Sequence, residues 1–135
     1  MRSACVLLVE DEALIALALA DDLETAGYEV AGPFHRCSDS LDWLGRHTPD
    51  IAIIDIHLRD GSSHDLAGVL RDRNVPFIVF SGEKRDGRVP EAFVGARWLS
   101  KPVSGRALLE AVGEIVGTRR GGGCSVQTGA QAAAL

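Results

Sequence analysis

Four short apolar runs each lead to a reactive polar side chain: Glu10 and Asp11 after Val6-Leu7-Leu8-Val9, Asp55 after Ile51-Ala52-Ile53-Ile54, Ser81 after Phe77-Ile78-Val79-Phe80, and Lys101 shortly after Trp98-Leu99. Together these three carboxylates, a hydroxyl and an ammonium have the chemistry to handle a phosphoryl group. Clustered carboxylates repel one another unless a cation joins them. Three acids without a companion histidine cage suit Mg2+ better than zinc. A carboxylate can attack phosphorus and hold an aspartyl phosphate, provided cations neutralise the charge developing on the transferring oxygens. Asp55 is the expected nucleophile. Lys101 would present a fixed positive charge to the phosphoryl oxygens and Ser81 a hydrogen bond.

These groups meet only if the runs are neighbouring parallel strands whose carboxyl ends share one rim, where open α/β sheets place their ligands. The hydrophobic pattern supports this. It predicts strands near 4–9, 28–31, 50–55, 76–81 and 96–99, alternating with helices over 12–26, 38–47, 62–73, within 86–94, and over 104–117. The first, third and fourth strands are continuously apolar, as expected for strands covered by helices on both faces. Gly27, Pro49 and Pro76 fall where helices have already stopped. Gly87 and Pro90 oppose a long fourth helix. The expected fold class is α/β, with a doubly wound five-stranded parallel sheet.

At 135 residues and 46% hydrophobic content, the chain can bury one core but not two comfortable ones. A single domain over 1–118 is expected, followed by a flexible Gly/Ala-rich tail over 119–135 that is too poor in large apolar groups to offset chain entropy. No run approaches a membrane span, and the start lacks a secretory h-region, which predicts a cytoplasmic protein. Cys5, Cys37 and Cys124 are odd in number and widely spaced, arguing against a disulfide framework. His35 and Cys37 lack a second ligand pair at zinc spacing. All 19 acidic residues but only twelve of the 14 basic ones precede Thr118, so that stretch carries a net charge of −7. Such a surface repels phosphate backbones and points to protein partners rather than nucleic acid.

Leu8-Val9-Glu10-Asp11-Glu12, Ile54-Asp55 followed by Asp60-Gly61, Ser81-Gly82 and Lys101-Pro102 occur in an order and spacing that resemble the response-regulator receiver domains of bacterial two-component signalling, over about residues 4–118. The resemblance implies a flavodoxin-like sheet in strand order 2-1-3-4-5 and phosphotransfer to Asp55 from a sensor histidine kinase or phosphotransfer protein. It implies Mg2+ held by Asp11, Asp55 and the His57 backbone carbonyl, with Glu10 acting through water. Ser81 and Lys101 would take the phosphoryl group, and the Lys101–Pro102 peptide would be cis. Trp98 stands at the family's aromatic switch position, where a ring fills the gap opened when Ser81 moves toward the phosphoryl group. The protein would then be a stand-alone regulator with at most self-phosphorylation and self-dephosphorylation activity. It would signal by contact with a downstream protein, and a homodimer is compatible with that role.

The pattern has departures. Arg59 stands where many members carry proline, and the loop from Asp55 to Gly61 is short by about two residues. Val79-Phe80-Ser81-Gly82 resembles a receiver subgroup in which the fourth helix is often reduced. The resemblance also implies that His57 and Glu83 occupy positions that, in the family, flank the phosphoryl group and tune the attacking water. On the first helix, at about 100° per residue, Ile15, Leu19, Leu23 and Ala26 form the expected core stripe. Leu14 and Leu17 fall on the opposite side, a patch suited to docking a kinase or phosphotransfer helix pair. Two rival readings are a phosphate-independent interaction module and a haloacid-dehalogenase-like phosphohydrolase. The second is opposed by His57, which stands where those enzymes carry a second acid.

Overall fold

The computed structural model describes residues 3–58, 60–81, 93, 95–102, 104–117 and 125–126, with only the backbone at 57, 61, 62, 125 and 126. Strands β1 (Cys5–Val9), β2 (Glu29–Phe34), β3 (Ile51–Asp55), β4 (Phe77–Ser81) and β5 (Arg97–Ser100) form one parallel sheet in order 2-1-3-4-5, as expected. Helices α1 (Ala13–Thr25), α2 (Cys37–Leu44), α3 (His64–Asp72) and α4 (Gly105–Val116) complete the described elements, together with two short strand pairs. The helix expected within 86–94 falls almost wholly outside the described residues.

The continuous apolar strands read as they do because alternate residues serve two cores. Cys5, Leu7 and Val9 of β1 join Ala52 and Ile54, Val79, and Leu66 and Leu70 of α3. Val6 and Leu8 join Ile53, Ile78 and Phe80 against Leu19 and Leu23 of α1 and Leu108 and Val112 of α4. Register sets the strand ends level: Val9 pairs with Ile54, Asp55 with Phe80, and Ser81 with Ser100. The next residue out on each strand therefore reaches the same rim.

Local chemistry explains the element ends. Gly27, at φ +97°, turns the chain out of α1, with the Gly27 and Tyr28 amides donating to the Glu24 and Leu23 carbonyls. Ala26, counted above in the core stripe, is exposed because α1 has already ended at Thr25. Strand β2 runs three residues past its expected end. Gly32 at φ +103° packs so closely that a Cβ there would lie 2.9 Å from the Leu8 carbonyl oxygen, and the pairing shifts register between Leu7 and Val9. Glycine and proline at 32–33 thus mark a bulge inside an edge strand rather than its end.

Ser125–Val126, within the stretch expected to be a tail, pair antiparallel with His47–Thr48; the rest of 119–135 lies outside the described residues. The cysteine expectation meets a correction. Cys5 is disulfide-bonded, whereas Cys37 is a free and buried thiol. Sequence spacing weighs only local cysteine pairs. The segment after His47–Thr48 is itself tied to Cys5, through the Asp50 amide to the Cys5 carbonyl at 2.9 Å and the Cys5 amide to Asp50 Oδ2 at 2.7 Å. Among the described residues, no helix is long and apolar enough to cross a membrane.

Candidate phosphoryl-transfer site

The strand ends bring the predicted acids together. Carboxylate oxygens of Glu10, Asp11 and Asp55 all lie within 4.8 Å of one another. Glu10 is fully buried, and Asp55 is only 3% exposed. Lys101 closes the cluster from β5: its Nζ lies 2.7 Å from Glu10 Oε1 and 3.0 Å from Asp55 Oδ2. The ammonium also sits 5.3 Å from the centre of the Phe80 ring, a cation–π contact. The Lys101 amide donates to the Ser81 carbonyl at 2.9 Å, and the Lys101–Pro102 peptide is cis. Ser81 is buried beside the lysine backbone.

The electrostatics follow from these distances. Burial alone would lower the Lys101 pKa, but the negative charges of Glu10 and Asp55 beside it and the hydrogen bond to Asp55 outweigh it and hold the ammonium above the ordinary lysine range. One cation thus offsets two buried carboxylates. Glu10 Oε2 accepts the Glu12 amide at 3.0 Å. Glu10 Oε1 meets Lys101 as an ion pair without hydrogen-bond alignment, so a buried acceptor oxygen keeps unused capacity. That oxygen, with the three-carboxylate set, fits a hydrated divalent cation.

Other sequence candidates occupy different roles around the rim. The His57 backbone follows Asp55 by two residues and pairs with Ser62, while Leu58 pairs with Gly61. Trp98 is half-buried and meets Phe93 edge-on, at 6.0 Å between ring centres. Leu14 and Leu17 are 84% and 60% exposed, the exposed large apolar side chains among the described residues.

Sequence reasoning missed two contributors. His35 Nδ1 hydrogen-bonds the Glu10 carbonyl at 2.9 Å, a contact created by the unforeseen extension of β2. Asp60 enters the sequence reading only through the Asp60-Gly61 motif. Its carboxylate accepts the backbone amides of Cys37 at 2.8 Å and Ser38 at 3.0 Å, which holds its pKa below the usual carboxylate range. Nothing in local sequence connects residues more than twenty apart in this way.

Comparison with known proteins agrees with this geometry. The family model described as the response regulator receiver domain matches residues 6–113. The transcriptional regulatory protein PdtaR of Mycobacterium tuberculosis is 31% identical over 110 residues, covering 79% of this chain and 54% of PdtaR. The chain therefore spans about half the length of that relative. The chemotaxis protein CheY of Thermotoga maritima is 30% identical over 114 residues, covering 82% of this chain and 95% of CheY. A CheY-like receiver domain from Methanospirillum hungatei superposes with a TM-score of 0.74 at 25% identity, covering 87% of this chain and 96% of its own. With its five-stranded sheet, acidic rim and apposed lysine, the chain belongs to the response regulator receiver domain family of two-component signalling, in which phosphorylation and Mg2+ are typical.

Proposed function

We propose that this chain is a single-domain response regulator whose Asp55 accepts a phosphoryl group from a phosphohistidine. The observation that carries the reading is the convergence of Glu10, Asp11 and Asp55 with the Lys101 ammonium 3.0 Å from the Asp55 carboxylate. An Asp55 oxygen attacks phosphorus in line. The P–N bond to the donor imidazole breaks, its electron pair stays with nitrogen, and a proton from solvent completes the leaving histidine. Lys101 moves from balancing Asp55 to balancing the acquired phosphoryl oxygens, and the Ser81 hydroxyl donates to another oxygen. Asp11, Asp55 and the His57 carbonyl would hold Mg2+, with Glu10 contributing through water. The ion supplies charge neutralisation for the phosphoryl oxygens.

Output follows by population shift: phosphorylation draws Ser81 inward, and Trp98 repacks against Phe93 to alter the neighbouring surface. The protein works in the cytoplasm and signals by contact with a downstream protein. Leu14 and Leu17 engage the kinase or phosphotransfer helices. Support comes from their exposure on α1 and from an adjoining groove lined by Ile15, Leu19, Phe80, Lys101 and Pro102, which runs up to the lysine.

The test is incubation with a small phosphodonor and Mg2+, location of the modified residue by mass spectrometry, and comparison of dimerisation before and after. Modification at Asp55 is expected. Labelling elsewhere, or none with the donor in excess, would refute the assignment.

A further inference from the structure

Helix α2 starts without a cap of its own: Arg36, at its N-cap, makes no side-chain bond to the first turn. Four amides at a helix start need acceptors from outside, and here a carboxylate 22 to 23 residues further on supplies two. Asp60 Oδ1 accepts Cys37 N–H and Oδ2 accepts Ser38 N–H, so both oxygens are committed to one helix end. The charge also lies at the positive end of the helix dipole.

Asp60 belongs to the short hairpin formed by His57–Leu58 and Gly61–Ser62, with residues 59 and 60 between. Leu58 anchors this hairpin in the core on the α2–α3 side. Among the described residues, the other side-chain tie to this stretch is the long 3.4 Å bond from Ser63 Oγ to the Ile56 carbonyl. Among the described residues, Leu58 holds the loop from beneath and the Asp60 carboxylate holds it at its tip.

We infer that Asp60 is a positioning residue, clamping the loop that carries the His57 carbonyl to the start of α2 and so presetting the cation-binding side of the site. This rests on the assignment of Asp55 and the His57 carbonyl to the cation given above. A short hairpin transmits displacement at its tip to its base, only three residues away. Loss of the clamp frees the tip, and the carbonyl at position 57 loses its fixed height beside Asp55. Asparagine at 60 keeps one acceptor but turns an NH2 toward a backbone amide, so it restores part of the clamp.

The test uses the full chain and MgCl2 alone. Titration calorimetry measures cation affinity, hydrogen exchange follows the Cys37 and Ser38 amides, and thermal melting tracks stability. Asp60→Ala is expected to weaken Mg2+ binding about tenfold, the scale of losses at groups that orient metal ligands, and to speed exchange at both amides. Asp60→Asn should fall between, and it keeps the test open if the alanine variant does not fold. Ser104→Ala is the control: Ser104 caps α4 through its Oγ on the Ala107 amide, away from the hairpin. It should cost stability without changing affinity. Native Mg2+ affinity in the Asp60 variants, or an equal loss in Ser104→Ala, overturns the proposal. Native affinity in Asp55→Asn overturns the assignment beneath it, and the proposal with it.

Discussion

At one end of this molecule, two neighbouring regions invert the ordinary rule of burial in opposite senses. In the rim, Glu10 and Asp55 are buried charges held by Lys101, whose side chain is 15% exposed. On the first turns of α1, Leu14 and Leu17 are large apolar groups turned to solvent. Folding favours neither arrangement, since buried charge costs desolvation and exposed leucine forgoes burial. The difference lies in what makes up for each cost. The rim compensates within the chain, through the lysine, whereas the leucines find no such compensation among the described residues. The first region should therefore respond to changes in its own charges, and the second only to the presence of another protein.

The sharpest break is at Asp55. Asp55→Asn should abolish acyl-phosphate labelling by both a small donor and a phosphorylated kinase, as read by mass spectrometry; residual labelling at native rate would dismiss the rim as the acceptor. Next comes Lys101→Met, which leaves two buried carboxylates facing each other. By the usual cost of breaking a buried pair it should destabilise the fold by about 3 kcal/mol at pH 7. Denaturant melts of the two proteins decide, and native stability in the variant would contradict the electrostatic account.

A smaller effect appears in alkali. Folding raises the Lys101 pKa above its ordinary 10.5, so its ion pairs stabilise fully below that value and the contribution fades as pH climbs through the higher folded value. Native protein should show an alkaline loss of stability that Lys101→Met lacks, and parallel curves would count against it. Leu14→Ser with Leu17→Ser should change stability least, within about 0.5 kcal/mol, because neither side chain is buried. Transfer from a kinase should nonetheless fall while labelling by a small donor persists. Equal decline of both reactions would remove α1 as the docking face.

What the chain revealed in advance depended on how local the cause was. The continuous apolar runs at 6–9, 51–54 and 77–80 announced a sheet covered on both faces, and the polar residue after each run announced the rim, because alternation and strand ends are properties of neighbouring residues. The second strand, expected to stop at 31, runs on to Phe34 because Gly32-Pro33 bend it without ending it. The Asp60 clamp, the His35 contact to Glu10, the Cys5 disulfide and the return of Ser125–Val126 to His47–Thr48 all join segments more than twenty residues apart. Periodicity carries no record of such partners.

The bend at Gly32-Pro33 bears on how this protein tolerates crowding. Strand β2 lies at the margin of the sheet, and a straight, apolar margin invites a second chain to zip onto it. Pro33 offers no amide to such a visitor, and the distorted backbone at Gly32 breaks the even spacing that a template requires. Along this margin the chain is thereby guarded against edge-to-edge pairing with copies of itself.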